Sequence, residues 1–325
     1  MKQTVPVVFA TDKEFAPYCS TSIASLLRTR DLEREYRIYV FYDKLDSEDK
    51  CLLESMSQPG ASVECVNVSG YIDKKLFYTH GRQSIATYYR FFVGDVFPQY
   101  DKILYLDSDI AILKDVGELY DVELGNNLLG GVVIYRGKPE EKRSKEEYLE
   151  RTMGVTPDKY INAGILVMNL ELFRQEKVQE KCISYLETHR QLKWMDQDVL
   201  NGVCKGRILF LPEKWNMSQF YYDADYSDGG AMDDVAIVHY LNRQKPWWVS
   251  FRRCHLFFYQ AASWTPYADS LRCQLLACNN VSSKNPRQEM IKMASRGEVG
   301  PRYFLRCVLI WAKGKAKRFI KRFAK

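Results

Sequence analysis

Two aspartates separated by one serine, Asp107 and Asp109, are the residues of this sequence best suited to binding a cation. Residues two apart on an extended backbone point to the same side, so both carboxylates can reach one hard divalent ion. The pair follows a short apolar run at residues 102–106, which predicts a buried strand. Ligands of open α/β sheets bind at the carboxyl ends of the strands, so a cation held here could neutralise a diphosphate.

A histidine and a lysine later in the chain extend this hypothesis. His239 ends the apolar run 235–238, and Lys245 follows six residues later, directly before Pro246 and Trp247. A lone histidine in such a place is usually a packed residue of the core or its rim. Joined to the acidic pair, it gives two carboxylates and one imidazole, a set that suits manganese, with magnesium as the alternative ion. Lys245 then supplies positive charge to the same diphosphate.

Two further motifs are weak when each is taken alone. Asp196-Gln197-Asp198 begins a predicted helix, where helix capping and first-turn acids are a sufficient explanation. Asn162-Ala163-Gly164 precedes a predicted strand and could be a turn that allows close approach of the backbone. Neither motif identifies a site without the others.

The elements that must position these residues alternate between strands and helices. The hydrophobic pattern predicts strands at residues 5–10, 37–42, 62–68, 102–106, 129–135, 164–169, 208–211 and 235–239. It predicts helices at residues 18–27, 47–56, 84–93, 145–153, 171–192 and 196–203. This alternation predicts an α/β protein with an open, mostly parallel central sheet.

The composition favours a globular cytoplasmic enzyme. Apolar residues make up 46% and charged residues 27%, and no window approaches the roughly 20 apolar residues of a membrane span. The first ten residues lack a signal-peptide core, so we expect a cytoplasmic location. Nine cysteines without a Cys-x-x-Cys pair indicate reduced thiols, not a disulfide framework or zinc ribbon. The Asn-x-Ser sequons, one of them at Asn216, would be glycosylation sites only in a secreted protein, so they carry no weight here.

Positive charge is concentrated at the end of the chain. Residues 299–325 hold nine Lys or Arg and no acid, which leaves 38 basic against 41 acidic residues elsewhere. This distribution argues against a nucleic-acid partner. The segment also has an apolar stripe at helical spacing, which predicts a basic amphipathic helix that associates peripherally with an anionic membrane surface. The alternative is a helix docked on the main domain. The predicted organisation is therefore a catalytic domain at 1–278, a linker at 279–298 and this helix at 299–325.

The motifs, taken in order, resemble those of the family-eight retaining glycosyltransferases, which include bacterial lipopolysaccharide galactosyl- and glucosyltransferases and the glycogenins. The similarity covers roughly residues 5 to 265. It rests on six motifs: Val7-Val8-Phe9-Ala10-Thr11-Asp12, Tyr88-Tyr89-Arg90, Leu104-Tyr105-Leu106-Asp107-Ser108-Asp109, Asn162-Ala163-Gly164, Asp196-Gln197-Asp198, and His239-Tyr240 with Lys245-Pro246-Trp247.

The resemblance implies both a fold and a reaction. The fold is a single Rossmann-like nucleotide-sugar-binding domain of the glycosyltransferase A type, with a C-terminal helical extension. The reaction is transfer of galactose or glucose from a UDP-sugar to a saccharide acceptor, such as a lipid-linked lipopolysaccharide core, at the inner face of the cytoplasmic membrane. Double displacement and same-face attack both remain open as routes to retention. Two other functions stay possible at this point, a nucleotide-sugar-binding protein without transfer and a donor hydrolase.

The resemblance also implies roles for individual residues. Ala10 and Asp12 would contact uracil, Phe15 would stack on it, and Arg90 would reach toward phosphate or sugar. The manganese ligands would be Asp107, Asp109 and His239. The rest of the donor site would comprise Ser108, Asn162, Ala163, Gly164, Asp196, Gln197, Asn242 and Lys245.

Within that set, Asp196 and Gln197 would be the catalytic candidates near the anomeric carbon, and Lys245 would bind the diphosphate. The sequence departs from close relatives at Asn242, where glycine is frequent, and from many bacterial relatives at Glu14, where a small amide or acid is frequent.

Overall fold

The computed structural model describes residues 2–72, 76–79, 84–134, 139–220, 222, 234–242, 245–248 and 252–272. The predicted linker at 279–298 and the basic helix at 299–325 lie outside these residues, as does the last residue of the predicted strand 129–135. Among the described residues, no helix has the length and apolar character needed to cross a membrane.

A seven-stranded sheet forms the centre of the described structure and confirms the predicted α/β class. Its strands are β1 (Thr4–Ala10), β2 (Glu35–Tyr42), β3 (Ala61–Asn67), β4 (Lys102–Leu106), β6 (Leu129–Val132), β7 (Asn162–Asn169) and β8 (Ile208–Phe210). The spatial order is β3-β2-β1-β4-β7-β6-β8. Only β7 runs against its neighbours β4 and β6; the other pairs in this sheet are parallel.

A second, three-stranded sheet lies beside the large one and contains the predicted strand 235–239. It is formed by β5 (Ile110–Ile112), β9 (Met217–Ser218) and β10 (Ile237–His239), in the order β5-β10-β9. Strands this short carry too few residues for an alternating pattern, so the sequence did not predict β5 or β9. Since β5 begins directly after Asp109, this sheet ties the acidic pair to the strand that ends at His239.

Helices cover both faces of the large sheet. The α-helices are α1 (Ala16–Thr29), α2 (Ser47–Glu54), α3 (Val93–Val96), α4 (Gly117–Tyr120), α5 (Pro139–Met153), α6 (Leu170–Gln175), α7 (Val178–Thr188), α8 (Met195–Val203) and α9 (His255–Ala262). Short 3₁₀ helices lie at Ser69–Tyr71, Ile85–Phe92, Pro157–Lys159 and Glu213–Trp215.

Two of the predicted helices differ from the observed ones. The segment 84–93 is a 3₁₀ helix, Ile85–Phe92, that leads into α3. The single helix predicted at 171–192 is wrong, because the chain breaks between α6 and α7 at Lys177, whose φ is 54°. One left-handed residue redirects the chain without disturbing the apolar spacing on either side, so the sequence pattern does not reveal it.

Alternate side chains of β1 pack into two different apolar clusters, which shows that the sheet is buried on both faces. Val5, Val7 and Phe9 pack into one apolar cluster with α1 and α9, whereas Val8 and Ala10 pack into a second cluster on the other face. All five are at most 9% exposed. A strand covered on both faces is held rigidly, so its end is a stable platform for a site.

Candidate functional site

Three strand ends meet at one edge of the large sheet. Strands β1 and β4 are parallel neighbours, so Ala10 and Leu106 end at the same edge. Strand β7 is antiparallel to β4 and therefore begins where β4 ends. The Asp107 amide donates to the Gly164 carbonyl at 2.7 Å, and the Ser108 hydroxyl donates to the Ala10 carbonyl at 2.6 Å. These bonds fix the three strand ends to one another.

A cavity of about 610 Å³ opens at this edge, a volume typical of small-ligand sites. The sequence-predicted donor residues that line it are Ala10, Asp12, Phe15, Arg90, Asp107, Ser108, Asp109, Asn162, Ala163, Gly164, Asp196, Gln197, Asn242 and Lys245. His239 is the exception among them, because it lies behind the acidic pair and is 1% exposed. The lining residues that the sequence did not indicate include Thr87, Tyr105, Trp194, Met195 and Trp248.

The acidic pair and His239 form a compact group of possible metal ligands. The His239 Nε2 atom lies 3.2 Å from Asp109 Oδ1 and 3.7 Å from Asp107 Oδ2. One ligand atom from each of the three residues lies within 4.8 Å of the others. The sequence suggested an extended strand, but both aspartates lie in the short connection between β4 and β5, which bends at Ser108 and Asp109. This connection, not the alternation of a strand, turns the two carboxylates toward one point.

Gly164 provides the space that this group needs. A Cβ atom at this position would lie 2.3 Å from His239 Cε1 and 2.6 Å from Asp107 Oδ2, closer than real Cβ contacts come. Any side chain here would therefore displace two of the three possible ligands. Two carboxylates and one imidazole around a cleared space are a suitable donor set for manganese or magnesium. The residues present thus fit the predicted ion.

Lys245 places a second positive charge against the acidic pair. Lys245 is 7% exposed, and its ammonium group donates to Asp109 Oδ2 and to the Tyr240 carbonyl, the latter at 2.6 Å. Burial raises the pKa of Asp109, but attraction to Lys245 and His239 outweighs burial and holds that pKa well below its usual value. Asp109 is therefore a carboxylate at any physiological pH.

Arg90 is enclosed by carboxylates. It is 3% exposed, and its guanidinium lies 2.8 Å from Asp107 Oδ1 and 3.1 Å from Asp196 Oδ2. It also donates to the carbonyls of Thr87 and Ala163 and stacks over the Tyr105 ring. Arg90 lines the cavity as predicted, but these contacts make it a link between the acidic pair and Asp196.

The predicted catalytic residues lie at the start of α8, and each has defined contacts. Asp196 is 4% exposed; Oδ1 accepts from the Thr87 hydroxyl and Oδ2 pairs with Arg90. Burial raises the pKa of Asp196 to about 6, although Arg90 and Thr87 oppose that rise. The Gln197 Oε1 atom accepts from the Asn162 side chain at 2.8 Å and the Ala163 amide at 3.2 Å. The α8 and β7 motifs are therefore bonded directly to each other.

Asp198 is the buried anchor of this segment, which corrects its interpretation as an ordinary first-turn acid. It is fully buried and accepts hydrogen bonds from the Tyr148 hydroxyl at 2.6 Å, the Tyr160 hydroxyl and the Trp194 amide at 2.9 Å. The chain turns here through Met195, whose φ is 44°. Asp198 holds this strained turn, which sets the direction of Asp196 and Gln197.

The predicted uracil side is formed by the loop before α1 and by aromatic rings. Asp12 Oδ1 accepts from the Phe15 amide at 2.9 Å, which fixes the loop. The Phe15 ring lies 6.1 Å from the Trp247 ring and 6.3 Å from the Trp248 ring, in edge-to-face contacts. Asn242 has a φ of 59°, a left-handed conformation that explains the glycine of relatives and that asparagine tolerates. The exposed side chain of Glu14 is not among the cavity residues.

Asn216 is a site residue that the sequence analysis missed. Its side chain is fully buried and its Oδ1 atom lies 2.9 Å from His239 Nδ1. It stands 23 positions before His239 in a sequon, and no spacing rule connects the two. Only the pairing of β9 with β10 brings them together.

Known proteins resemble this chain in sequence and in fold. The sequence profile of Glycosyl transferase family 8 matches residues 6–249. Lipopolysaccharide 1,3-galactosyltransferase of Salmonella typhimurium (strain LT2) is 31% identical over 290 residues, which cover 86% of this chain and 83% of that protein. Lipopolysaccharide 1,2-glucosyltransferase of Escherichia coli is 26% identical over 290 residues, which cover 83% of each chain.

Two solved structures share the fold. The bifunctional glycosyltransferase WbbM superposes with a TM-score of 0.71 at 26% identity; the match covers 84% of this chain and 52% of that one, about half its length. The galactosyltransferase LgtC, solved with donor and acceptor sugar analogs, superposes with a TM-score of 0.63 at 23% identity, covering 86% of this chain and 99% of that one.

The space at Gly164 can be tested without any ligand. We expect Gly164→Ala to lower the free energy of unfolding by about 1–3 kcal/mol, because the new methyl group overpacks a buried contact. Gly70→Ala is the matched control, since a Cβ at Gly70 meets no atom of the described residues within 4 Å, and we expect it to change stability by no more than about 0.5 kcal/mol. Urea unfolding of the three proteins measures both values. Equal stability of the two variants would contradict the assigned geometry.

Proposed function

Because the chain belongs to glycosyl transferase family 8, we propose that it transfers galactose or glucose from a UDP-sugar to a saccharide acceptor with retention of anomeric configuration. The observation that carries this proposal is the convergence of His239 on Asp107 and Asp109, which line a cavity together with Asp196 and Gln197. The names of the similar Salmonella and Escherichia coli proteins support a lipopolysaccharide core or related surface glycan as the acceptor.

In this proposal Asp107, Asp109 and His239 hold a manganese ion, with magnesium as the alternative. When bound, the ion supplies positive charge that stabilises the diphosphate leaving group without any proton transfer. Lys245 already contacts Asp109, so its ammonium adds to the positive charge at the same place. Arg90 keeps Asp107 oriented from behind and thereby limits the reorganisation needed when a donor binds.

The contacts of Asp196 favour a same-face attack over double displacement. A carboxylate nucleophile needs a free oxygen directed at the anomeric carbon. Both oxygens of Asp196 are engaged, one by Thr87 and the other by Arg90. We therefore propose that Asp196 orients the residues around the hexose site. Gln197 would lie nearest the reacting carbon.

The loop before α1 would hold the base of the nucleotide. Asp12 is fixed by its bond from the Phe15 amide, and Phe15 presents a part-exposed ring beside Trp248 in the cavity. An aromatic face next to a fixed carboxylate can stack on a planar base while the carboxylate accepts hydrogen bonds from it. This arrangement supports a nucleotide-linked donor over a free sugar.

A donor screen tests the proposed reaction. With Mn²⁺ and a lipopolysaccharide core acceptor, we expect the wild type to release UDP and transfer sugar from UDP-galactose or UDP-glucose. Asp109→Ala should lower the rate by about 100-fold or more, because charge stabilisation of the leaving group is lost. Asp101→Ala is the matched control: its side chain is 80% exposed and precedes β4, at the other end of that strand, so the rate should not change.

The other outcomes of the screen separate the alternative functions. UDP release that does not depend on the acceptor would indicate a donor hydrolase. Binding of UDP-sugars without any turnover would indicate a nucleotide-sugar-binding protein. Full activity in a metal chelator would contradict the proposed role of the acidic pair.

We also propose that residues 299–325 form a basic amphipathic helix that holds the enzyme at the inner face of the cytoplasmic membrane, joined to the catalytic domain, 1–278, by the linker 279–298. The nine basic residues of this segment, without any acid, support attraction to anionic lipids. Such an anchor would place the cavity near a lipid-linked acceptor.

Vesicle sedimentation tests this anchor. We expect the full chain to sediment with vesicles containing anionic phospholipid and to be released by high salt, because the attraction is partly electrostatic. Deleting residues 299–325 should abolish sedimentation while leaving the unfolding transition of the remaining chain intact. Unchanged sedimentation of the truncated protein would refute the proposed anchor.

A further inference from the structure

A chain of side-chain amides connects the possible metal ligands to the predicted hexose site. Gln197 Oε1 accepts from Asn162 Nδ2 at 2.8 Å, and Asn162 Oδ1 accepts from Asn216 Nδ2 at 2.8 Å. Asn216 Oδ1 in turn lies 2.9 Å from His239 Nδ1. Both ends of this chain face the same cavity or its acidic pair. Asn216, which lies between Asn162 and His239 in this chain, belongs to none of the six sequence motifs.

Two backbone N–H groups determine which way every amide in this chain points. The Ala163 amide donates to Gln197 Oε1 at 3.2 Å, and the Gly164 amide donates to Asn162 Oδ1 at 3.0 Å. A backbone N–H can only donate, so each of these side chains must present its oxygen there. The backbone of β7 therefore determines which side-chain atom of Asn162 and of Gln197 is the oxygen and which is the nitrogen.

The same logic then fixes the tautomer of His239. Since Asn162 presents an oxygen, Asn216 must direct its NH₂ group toward it. The remaining Asn216 atom, its oxygen, faces His239 Nδ1, which must therefore carry a hydrogen. The Nδ1–H group is satisfied by this bond. The Nε2 atom, 3.2 Å from Asp109, is the ring nitrogen left for a cation.

We infer that Asn216 is a positioning residue that fixes the Nδ1–H tautomer of His239 and couples its orientation to Asn162, Ala163 and Gly164. These three residues begin β7 and do not form the turn that the sequence suggested. The inference rests on the proposed function in assigning His239 to a metal and the start of β7 to the hexose. Asn216 and His239 are 0% and 1% exposed, so solvent does not reach the bond between them. A shift at the start of β7 is therefore transmitted to the metal ligand through Asn216.

The tautomer itself can be measured without metal or donor. The chain has four histidines, so ¹⁵N-histidine labelling gives a simple spectrum in which His239 is assigned by its loss in His239→Gln. In alkaline buffer we expect the Nδ1–H form in the wild type. In Asn216→Leu we expect the Nε2–H form, because leucine cannot accept from Nδ1 whereas Asp109 can accept from Nε2. An Nε2–H wild type, or an Nδ1–H leucine variant, would overturn the inference.

Two further variants separate positioning from general loss of stability. Asn216→Asp still accepts from Nδ1 but cannot donate to Asn162, so we expect the Nδ1–H form and Mn²⁺ binding to persist while UDP-hexose binding weakens relative to UDP binding. Asn201→Leu is the matched control, since Asn201 is equally buried and, within the part of the chain that the structure describes, its side chain bonds only to the backbone of Ile161 and Gln197. It should be destabilised yet keep the Nδ1–H form.

Metal binding provides the second readout. We expect Asn216→Leu to bind Mn²⁺ about 10- to 100-fold more weakly than the wild type, measured by electron paramagnetic resonance. Equal Mn²⁺ affinity in the leucine variant and the wild type would overturn the coupling of Asn216 to the metal. A wild type that binds no Mn²⁺ but shows the Asn216-dependent tautomer would instead refute the metal-dependent function and leave the positioning of His239 supported.

Discussion

Three carboxylates lie together at one edge of the large sheet, and their mutual repulsion is the constraint on which the rest of the site depends. Asp107, Asp109 and Asp196 are held by Arg90, which joins the first to the last, and by Lys245, which contacts Asp109. Buried charges are tolerated only when they are paired and hydrogen-bonded, since an unpaired ion costs several kcal/mol. The side chains of Arg90 and Lys245 meet this requirement. The side of the acidic pair that faces the His239 imidazole is left for a third positive charge, that of a bound metal ion.

The architecture explains how residues so far apart in the sequence reach that edge. A wholly parallel sheet would place the start of β7 at the far end of β4. The reversal of β7 instead puts Gly164 beside Asp107, where a glycine is required by the contact with His239. The small sheet then brings the end of β10 to the acidic pair through its pairing with β5. Both features serve the same purpose of gathering ligands around one space.

The sequence predicts the parts of this structure that depend on local pattern. The strand ending before Asp107 was predicted correctly because an apolar run followed by acids is a local signal. The family resemblance predicts that the motifs share one donor site, and residues of all six motifs line one cavity, although His239 lies behind it. The break at Lys177 could not be predicted, because a single left-handed residue interrupts a helix without altering its hydrophobic spacing.

The role of Asn216 was hidden for a different reason. Its position in a sequon and its distance from His239 in the sequence give no hint of the contact, which arises only when β9 pairs with β10. Asp198 was similarly misjudged, since an acid in the first turn of a helix is usually exposed, whereas here three donors converge on it. Residues that act by positioning others are defined by tertiary contacts, so local pattern cannot identify them.

In the proposed function, the acidic pair and His239 form one cation site whose geometry the amide chain maintains. Anomalous diffraction from a crystal grown with Mn²⁺ and UDP would locate the ion. We predict one manganese peak bonded to Asp107, Asp109 and His239 Nε2, with Asn216 still accepting from Nδ1. A manganese ion bound elsewhere in the cavity, or one coordinated through His239 Nδ1, would contradict it.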